Sequence, residues 1–370
     1  VTAEPKPVEG TRDQVDLEIA VKERPTGSIS LGAGYSTSDG VILSAGFAQD
    51  NVFGSGKSVG VEVNTSQSQR TYAFNLGEPY ITPEGISRNW TVYDRRVDLD
   101  ELDVSNVAYE TIGAGINFGL PVTEYDRIFV GARFEMTEVD LRGDRNMAAY
   151  DDVASPERYW NYVDEYGERS QAALLTLGWS RDSRDNALAP TRGRYQRLSA
   201  EFALPALDQR YYRATYQITQ YLPLSRSWTL GLNMQVGYGD TYGDEMYPFF
   251  KNFYAGGIGS VRGFESLGGD REFVFSAELL TPLPGADRTL RGLLFFDAGN
   301  VWGYRGTRDS SGHVHYDHES IDFGNLRYSV GFGIAWISPL GPLKFSLAFP
   351  LNEEEGDDTQ RFQFQIGTGF

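Results

Sequence analysis

The sequence predicts an all-β protein, a closed antiparallel transmembrane β-barrel of about sixteen strands. Three observations carry that expectation. Long segments alternate between apolar residues and small or polar ones, and residues two apart share one face of a strand. The connections between these segments sort into short turns and long polar loops. No stretch approaches the ~20 consecutive apolar residues of a spanning helix, so a closed barrel is the remaining way to satisfy the backbone in lipid.

Composition fits and excludes. Apolar residues make up 40% of the 370, too few for a bundle of membrane helices. Aromatic girdles and glycine-rich curved strands account for the 14% aromatic content and the 42 glycines. The absence of Cys excludes a disulfide framework and thiol chemistry. A net charge of −18 argues against nucleic acid as a partner, because phosphate binding needs clustered Lys and Arg. Much of the acid lies in Asp98 to Asp103, Asp151 to Glu168 and Glu353 to Asp358, which read as solvated loops.

From the N-terminus, Val1 to Arg24 is polar and starts without Met, so a mature or truncated chain is expected. Gln14, Asp16, Glu18 and Ala20 alternate with Val15, Leu17, Ile19 and Val21 before Lys22-Glu23-Arg24-Pro25 breaks the pattern. Residues 1–25 therefore read as one half-buried strand left from a preceding soluble domain, and residues 26–370 as the barrel.

Barrel strands are expected to start near residues 27, 40, 57, 69, 89, 106, 126, 169, 194, 210, 226, 271, 290, 326, 341 and 359. The pattern is cleanest late in the chain. Trp228, Leu230, Leu232, Met234, Val236 and Tyr238 alternate with Thr229, Gly231, Asn233, Gln235 and Gly237. Tyr328 to Trp336, Leu343 to Leu351 and Phe362 to Phe370 do the same. Segments of about 9 to 13 residues exceed the usual ~5–6 of globular strands and suit a tilted membrane strand. Trp90 to Leu99 and Tyr195 to Leu204 carry charge on both faces and are less distinct. Short turns fall at Leu120 to Asp126, Leu222 to Arg226, Pro282 to Leu290 and Ser338 to Pro342. Long loops fall at Asp140 to Arg169, Gly239 to Arg271 and Gly303 to Asn325. An outer-membrane barrel presents short periplasmic turns and long surface loops in this way.

Few motifs offer chemistry. Gly54-Ser55-Gly56-Lys57-Ser58 lacks the first glycine of a phosphate-binding loop, where Asn51 stands, and reads as a hairpin turn. His313, His315 and His318 share one loop with Asp317 and Glu319; zinc or nickel binding would require that loop to order, and no metal or other cofactor is expected. No strand carries a histidine beside a nucleophile, so an enzyme is not expected. The most informative stretch is Gly256-Gly257-Ile258-Gly259-Ser260-Val261-Arg262-Gly263-Phe264-Glu265, glycine-dense with one Arg among apolar residues.

On that stretch the sequence resembles the BamA family, insertases that fold other proteins into the outer membrane. The family's sixth surface loop carries a Val/Ile-Arg-Gly-Phe motif folded back into the lumen, matched by Val261, Arg262, Gly263 and Phe264. The resemblance implies that Arg262 is paired by Glu278 and Asp297; alternation independently sets both opposite Phe275, Ala277, Leu279 and Phe296, toward the lumen. Asp182-Ser183-Arg184-Asp185-Asn186 through Pro190-Thr191-Arg192-Gly193 looks like the family's Arg-Asp…Pro-x-x-Gly turn, and Gly27 to Tyr35 like its first strand. Val15 to Arg24 looks like the last strand of a POTRA repeat, the periplasmic module before the barrel.

The resemblance further implies a weak lateral seam where Thr26 to Ser36 meets Gln360 to Phe370. Its residues would be Ser28, Ser30, Gly32 and Gly34 on one side, and Phe364, Ile366, Gly367, Gly369 and Phe370 on the other. The implied partners are unfolded outer-membrane proteins, periplasmic chaperones, accessory periplasmic lipoproteins, and outer-membrane lipid and lipopolysaccharide in a Gram-negative bacterium. Two alternatives are a TamA- or FhaC-like translocation or secretion barrel, which would share the Arg motif, and a passive porin, which would share the barrel alone.

Overall fold

A computed structural model describes residues 2–7, 10, 15–20, 25–101, 105–145, 155–243, 245–265, 267–284, 289–308, 314–338, 341–353 and 357–367. Among them sixteen strands close into one antiparallel barrel, each paired with its neighbours in sequence. They are β1 (Gly27–Ser36), β2 (Gly40–Gln49), β3 (Ser58–Thr65), β4 (Gln69–Glu78), β5 (Ser87–Asp98), β6 (Val107–Pro121), β7 (Asp126–Leu141) and β8 (Arg169–Asp182). The second half comprises β9 (Gly193–Ala203), β10 (Tyr211–Pro223), β11 (Thr229–Thr241), β12 (Arg271–Pro282), β13 (Leu290–Trp302), β14 (Arg327–Ser338), β15 (Gly341–Pro350) and β16 (Phe362–Ile366). The two segments with mixed charge are strands too, β5 and β9.

The molecule is inside-out relative to a soluble protein. Leu177, Leu198, Phe202, Leu294, Phe296, Phe332, Ile334 and Trp336 are exposed on the outer wall, while Thr111, Glu135, Thr137, Asp297, Ser329 and Gln363 are buried inside. Apolar-out and polar-in alternation is the signature of a barrel facing lipid; a sandwich would invert it. No helix among the described residues is long and apolar enough to cross a membrane.

Three details depart from the sequence reading. The N-terminal segment is a hairpin, Thr2–Pro7 paired with Val15–Ala20, rather than a lone strand. Pro5 and Pro7 hid its first strand, since proline is disfavoured in ladders and tolerated at edges. The acidic stretch 151–168 contains a helix, α1 (Glu157–Tyr166). Tyr159, Tyr162, Val163 and Tyr166 recur at helical spacing, and Gly167 ends the helix at φ +81° with its N–H on the Val163 carbonyl. Loop length, finally, separates the two ends only in part, because residues 37–39, 66–68 and 204–210 are short connections at the loop end, whereas the 183–192 turn at the opposite end is longer than any of them.

The loop end is closed by side chains. Tyr159 and Tyr162 of α1 pack on Phe249 and Phe250 from the long loop 242–270, over Leu99, Val107, Tyr109 and Val139. Tyr159 and Phe249 stack at 3.9 Å between ring centroids. This apolar cap holds the base of loop 242–270, whose remainder runs down into the lumen.

Candidate functional site

Loop 242–270 descends as a narrow hairpin whose stem pairs Phe253–Ala255 with Leu267–Gly269. Gly257 closes the tip by donating its N–H to the Phe264 carbonyl at 2.8 Å. Val261 and Phe264 are buried with Ala255, Val274 and Val301. Val261 lies against Gly299 of β13, where a Cβ would stand 2.6 Å from its Cγ2, so glycine there makes the approach possible. Gly263 follows at φ +93°, a backbone conformation that favours glycine.

Between them Arg262 is gripped on every side. Its Nε donates to Asp297 Oδ2 at 2.7 Å and its Nη2 to Asp297 Oδ1 at 2.7 Å, a bidentate fork. Its Nη1 donates to Glu278 Oε1 at 2.7 Å, and Nη2 also reaches Ser276 Oγ at 3.0 Å. The Arg262 amide adds a bond to Asp297 Oδ2 at 3.1 Å, and Ser276 Oγ donates to Asp297 Oδ1 at 2.7 Å. The guanidinium carbon sits 3.6 Å from the centroid of the Phe295 ring, a cation–π contact. Asp297 has no exposed surface whereas Glu278 retains 32% of its side chain, so the two carboxylates are unequal partners. The family resemblance implied both; it did not point to Ser276 and Phe295, which lie two residues before Glu278 and Asp297 on the same faces and were open to a period-two argument.

Next to the tip is the seam. β6 and β7 are joined by fifteen residue pairs, whereas among the described residues β16 and β1 are joined by two, Gln365 with Ser36 and Ile366 with Tyr35. One further bond runs from the Thr37 N–H to the Phe364 carbonyl at 3.1 Å, and the Tyr35 and Phe364 rings stack at 5.2 Å. Gly367 then turns the chain at φ +89° and gives its N–H to the Pro342 carbonyl. Gly34 and Gly367 cross so closely that a Cβ on Gly34 would lie 2.4 Å from the Ile366 carbonyl oxygen. Of the expected seam residues, Gly34, Phe364, Ile366 and Gly367 meet. Ser28, Ser30 and Gly32 fall on a stretch of β1 that pairs with β2 alone among the described residues. On that stretch Ile29 and Leu31 are 78% and 82% exposed. Gly369 and Phe370 lie outside the described residues, as does His313; His315 and His318 fall in a strand, Val314–His318, of the hairpin above β13.

The last strand was expected to enter the seam from Gln360. Instead Thr359–Gln360 pairs with Phe264 and Gly263 at the loop tip, and the barrel strand starts at Phe362. The tip, fixed by Arg262, offers free backbone groups that capture this segment before it reaches the wall. Glu265 donates its N–H to the Asp358 carbonyl at 2.9 Å, and the buried Gln363 side chain bonds Gly263 N and Phe264 O at 3.3 Å each. Gln363 was also missed, although it lies opposite Phe362 and Phe364 in the alternation.

The Asp182–Gly193 turn is built around Asp185, which accepts from the Thr191 and Arg192 amides at 2.9 and 3.1 Å. It is held at the turn end by Arg291 of β13, which donates to the Pro190 and Ala189 carbonyls at 2.8 and 2.7 Å.

The Omp85 superfamily domain matches residues 51–370. The chain belongs to the Omp85 superfamily. It is 39% identical to the outer membrane protein assembly factor BamA of Neisseria meningitidis serogroup B, over 98% of this chain and 49% of that protein. This Omp85 barrel thus spans about half the length of the curated relatives it matches. Among solved structures it superposes on BamA from Haemophilus ducreyi lacking POTRA domains 1–3 with a TM-score of 0.79 at 26% identity, covering 99% of this chain and 74% of that one. CdiB from Acinetobacter baumannii shares the fold alone, at 14% identity and a TM-score of 0.55, over 99% of this chain and 65% of that one.

Proposed function

We propose that this Omp85 barrel folds and inserts outer-membrane proteins through the β1–β16 seam, as the central subunit of an outer-membrane assembly machinery. The observation that carries the reading is the two-pair ladder beside a β1 edge that pairs with β2 alone among the described residues. Each ladder hydrogen bond is worth only ~0.5–1.5 kcal/mol net, so this joint opens far more easily than any other in the barrel. An open strand edge templates a further strand by backbone pairing. An unfolded outer-membrane protein could therefore add its strands to β1, with its apolar face turned to lipid beside Ile29 and Leu31. Nothing in this scheme calls for a nucleotide, a cofactor or a catalytic side chain. The same reading puts the barrel in the outer membrane of a Gram-negative bacterium, in contact with lipid and lipopolysaccharide. Clients would arrive from periplasmic chaperones with the help of accessory periplasmic lipoproteins.

Ser36 and Gln365 face one another across the seam, and the chain contains no Cys. A Ser36→Cys, Gln365→Cys barrel should lose client insertion when oxidised and regain it on reduction. Full insertion by the oxidised barrel would refute a seam mechanism.

A further inference from the structure

The lumen loop carries a second buried cation. Lys251 ends the short helical turn Phe249–Lys251, just before the hairpin stem that leads to Arg262. Its Nζ donates to Glu135 Oε2 of β7 at 2.5 Å and lies 3.9 Å from Glu201 Oε1 of β9. The other Glu135 oxygen accepts from the Tyr93 hydroxyl of β5 and lies 2.9 Å from Arg133 Nε. Arg133 Nη2 donates to Glu201 Oε2 at 2.8 Å, and Tyr211 of β10 gives its hydroxyl to Glu201 Oε1 at 3.0 Å. The Tyr247 hydroxyl closes the loop backbone onto the Lys251 carbonyl at 3.1 Å.

Charge balance in this cluster is instructive. The wall supplies two carboxylates, Glu135 and Glu201, with Arg133 between them and Arg213 of β10 opposite Glu201 in the ladder. Glu135, 1% exposed with the loop in place, makes its shortest cation contact with Lys251. Breaking such a buried pair from one side is strongly unfavourable, so the pair holds the loop base on this wall. Arg262 meets β12 and β13, and β7 stands five strands from the first and six from the second round the ring. The loop is therefore fastened to two separated walls, with the paired stem between them transmitting position from one to the other.

We propose that Lys251 is a positioning residue for the Arg262 motif, and that the Lys251–Glu135 pair makes the lumen loop a crossbeam whose base sets where Gly263 and Phe264 meet the last strand. Hydrogen exchange of the amides at residues 256–264, in the full chain folded in detergent micelles, reads tip position directly. Its outcome does not depend on whether the seam inserts clients. Lys251→Met should speed exchange at the tip about tenfold and leave β2–β4 unchanged, and Lys251→Arg should restore protection. Glu135→Gln, which keeps the side-chain shape, should act in the same direction and serves if Lys251→Met fails to fold. Unchanged tip exchange in either variant that folds would overturn the proposal. So would failure of Lys251→Arg to restore protection, or a rise spread evenly over every strand.

Discussion

Arg262→Ala removes the fork that neutralises Asp297 and leaves that carboxylate buried with only the Ser276 hydroxyl and the residue-262 amide to bond it. Breaking a buried pair from one side costs ~3–5 kcal/mol. A decade in an equilibrium constant corresponds to ~1.4 kcal/mol, so the docking equilibrium constant of the loop tip should fall at least about a hundredfold. Glu278→Ala is a weaker perturbation, because the pair it breaks is partly solvated and single-bonded; ~1 kcal/mol, or about fivefold, is expected. Phe264 is buried when the tip is docked, so chymotryptic cleavage after it follows the undocked population when reclosing is fast. The cleavage rate should rank wild type, Glu278→Ala, then Asp297→Ala and Arg262→Ala. The Arg262→Ala, Asp297→Ala double variant should fall well short of the summed effects, because each single variant already strands the other's charge. Additive effects, or a Glu278 variant as severe as the Asp297 one, would refute the assignment of Asp297 as the principal partner.

Two further perturbations test the seam and the surface cap. Gly34→Ala places a methyl against the Ile366 carbonyl, and Gly367→Ala forces a left-handed backbone costing ~1–2 kcal/mol; both should lower the yield of the Ser36–Gln365 disulfide without changing the melting of the barrel wall. In the loop just before β12, burial pushes the Asp270 carboxyl up to about 7, opposed by Arg271, reinforced by Asp240 and opposed again by Arg158 of α1. A folded value above the ordinary ~4 means that its stabilising contribution is complete below that pH and is lost as pH rises through about 7. The cap should resist protease better at pH 5 than at pH 8, and Asp270→Asn should flatten the difference; an unaltered pH profile in that variant would reject the assignment.

The wall was legible in the sequence because lipid on one face and lumen on the other impose a two-residue period that few loops imitate. β2, β4, β7, β8, β12, β13 and β15 begin where the alternation starts them. The lumenal placement of Glu278 and Asp297 was legible for the same reason, since a carboxylate opposite Phe275 and Leu279 can face only the lumen; their pairing with Arg262 was implied by the family resemblance. What escaped is set by tertiary contact. The Tyr159–Tyr162 face of α1 has meaning only once Phe249 and Phe250 cover it, and its acidic neighbours made it read as loop. The destination of Thr359–Gln360 depends on a loop tip some hundred residues upstream, which no local pattern encodes. Lys251 sits in Phe249-Phe250-Lys251-Asn252-Phe253, where a lone lysine reads as solvent-facing until the Glu135 carboxylate is placed beside it.

The chemistry of the Arg262 latch bears on why the tip is held by charge at all. A buried ion pair adds little net stability, and an apolar plug of the same volume would fill the lumen at least as firmly. What a guanidinium fork adds is direction, because both carboxylate oxygens and both of its nitrogens must align within hydrogen-bond distance. That alignment fixes the peptide planes on either side of Arg262, and the next two residues are the ones whose backbone meets Thr359 and Gln360. The chain is thus held from the lumen just before β16 begins and turns at Gly367 just after it ends, so that among the described residues a short ladder at Tyr35 and Ser36, with the Thr37 amide, ties it to β1. On the proposed function, a client strand that displaced β16 from β1 would pull on a segment whose upper end is tied to the latch. By linkage, whatever strains the latch must change the affinity of that edge in the same proportion. An apolar plug would close the lumen without carrying this coupling.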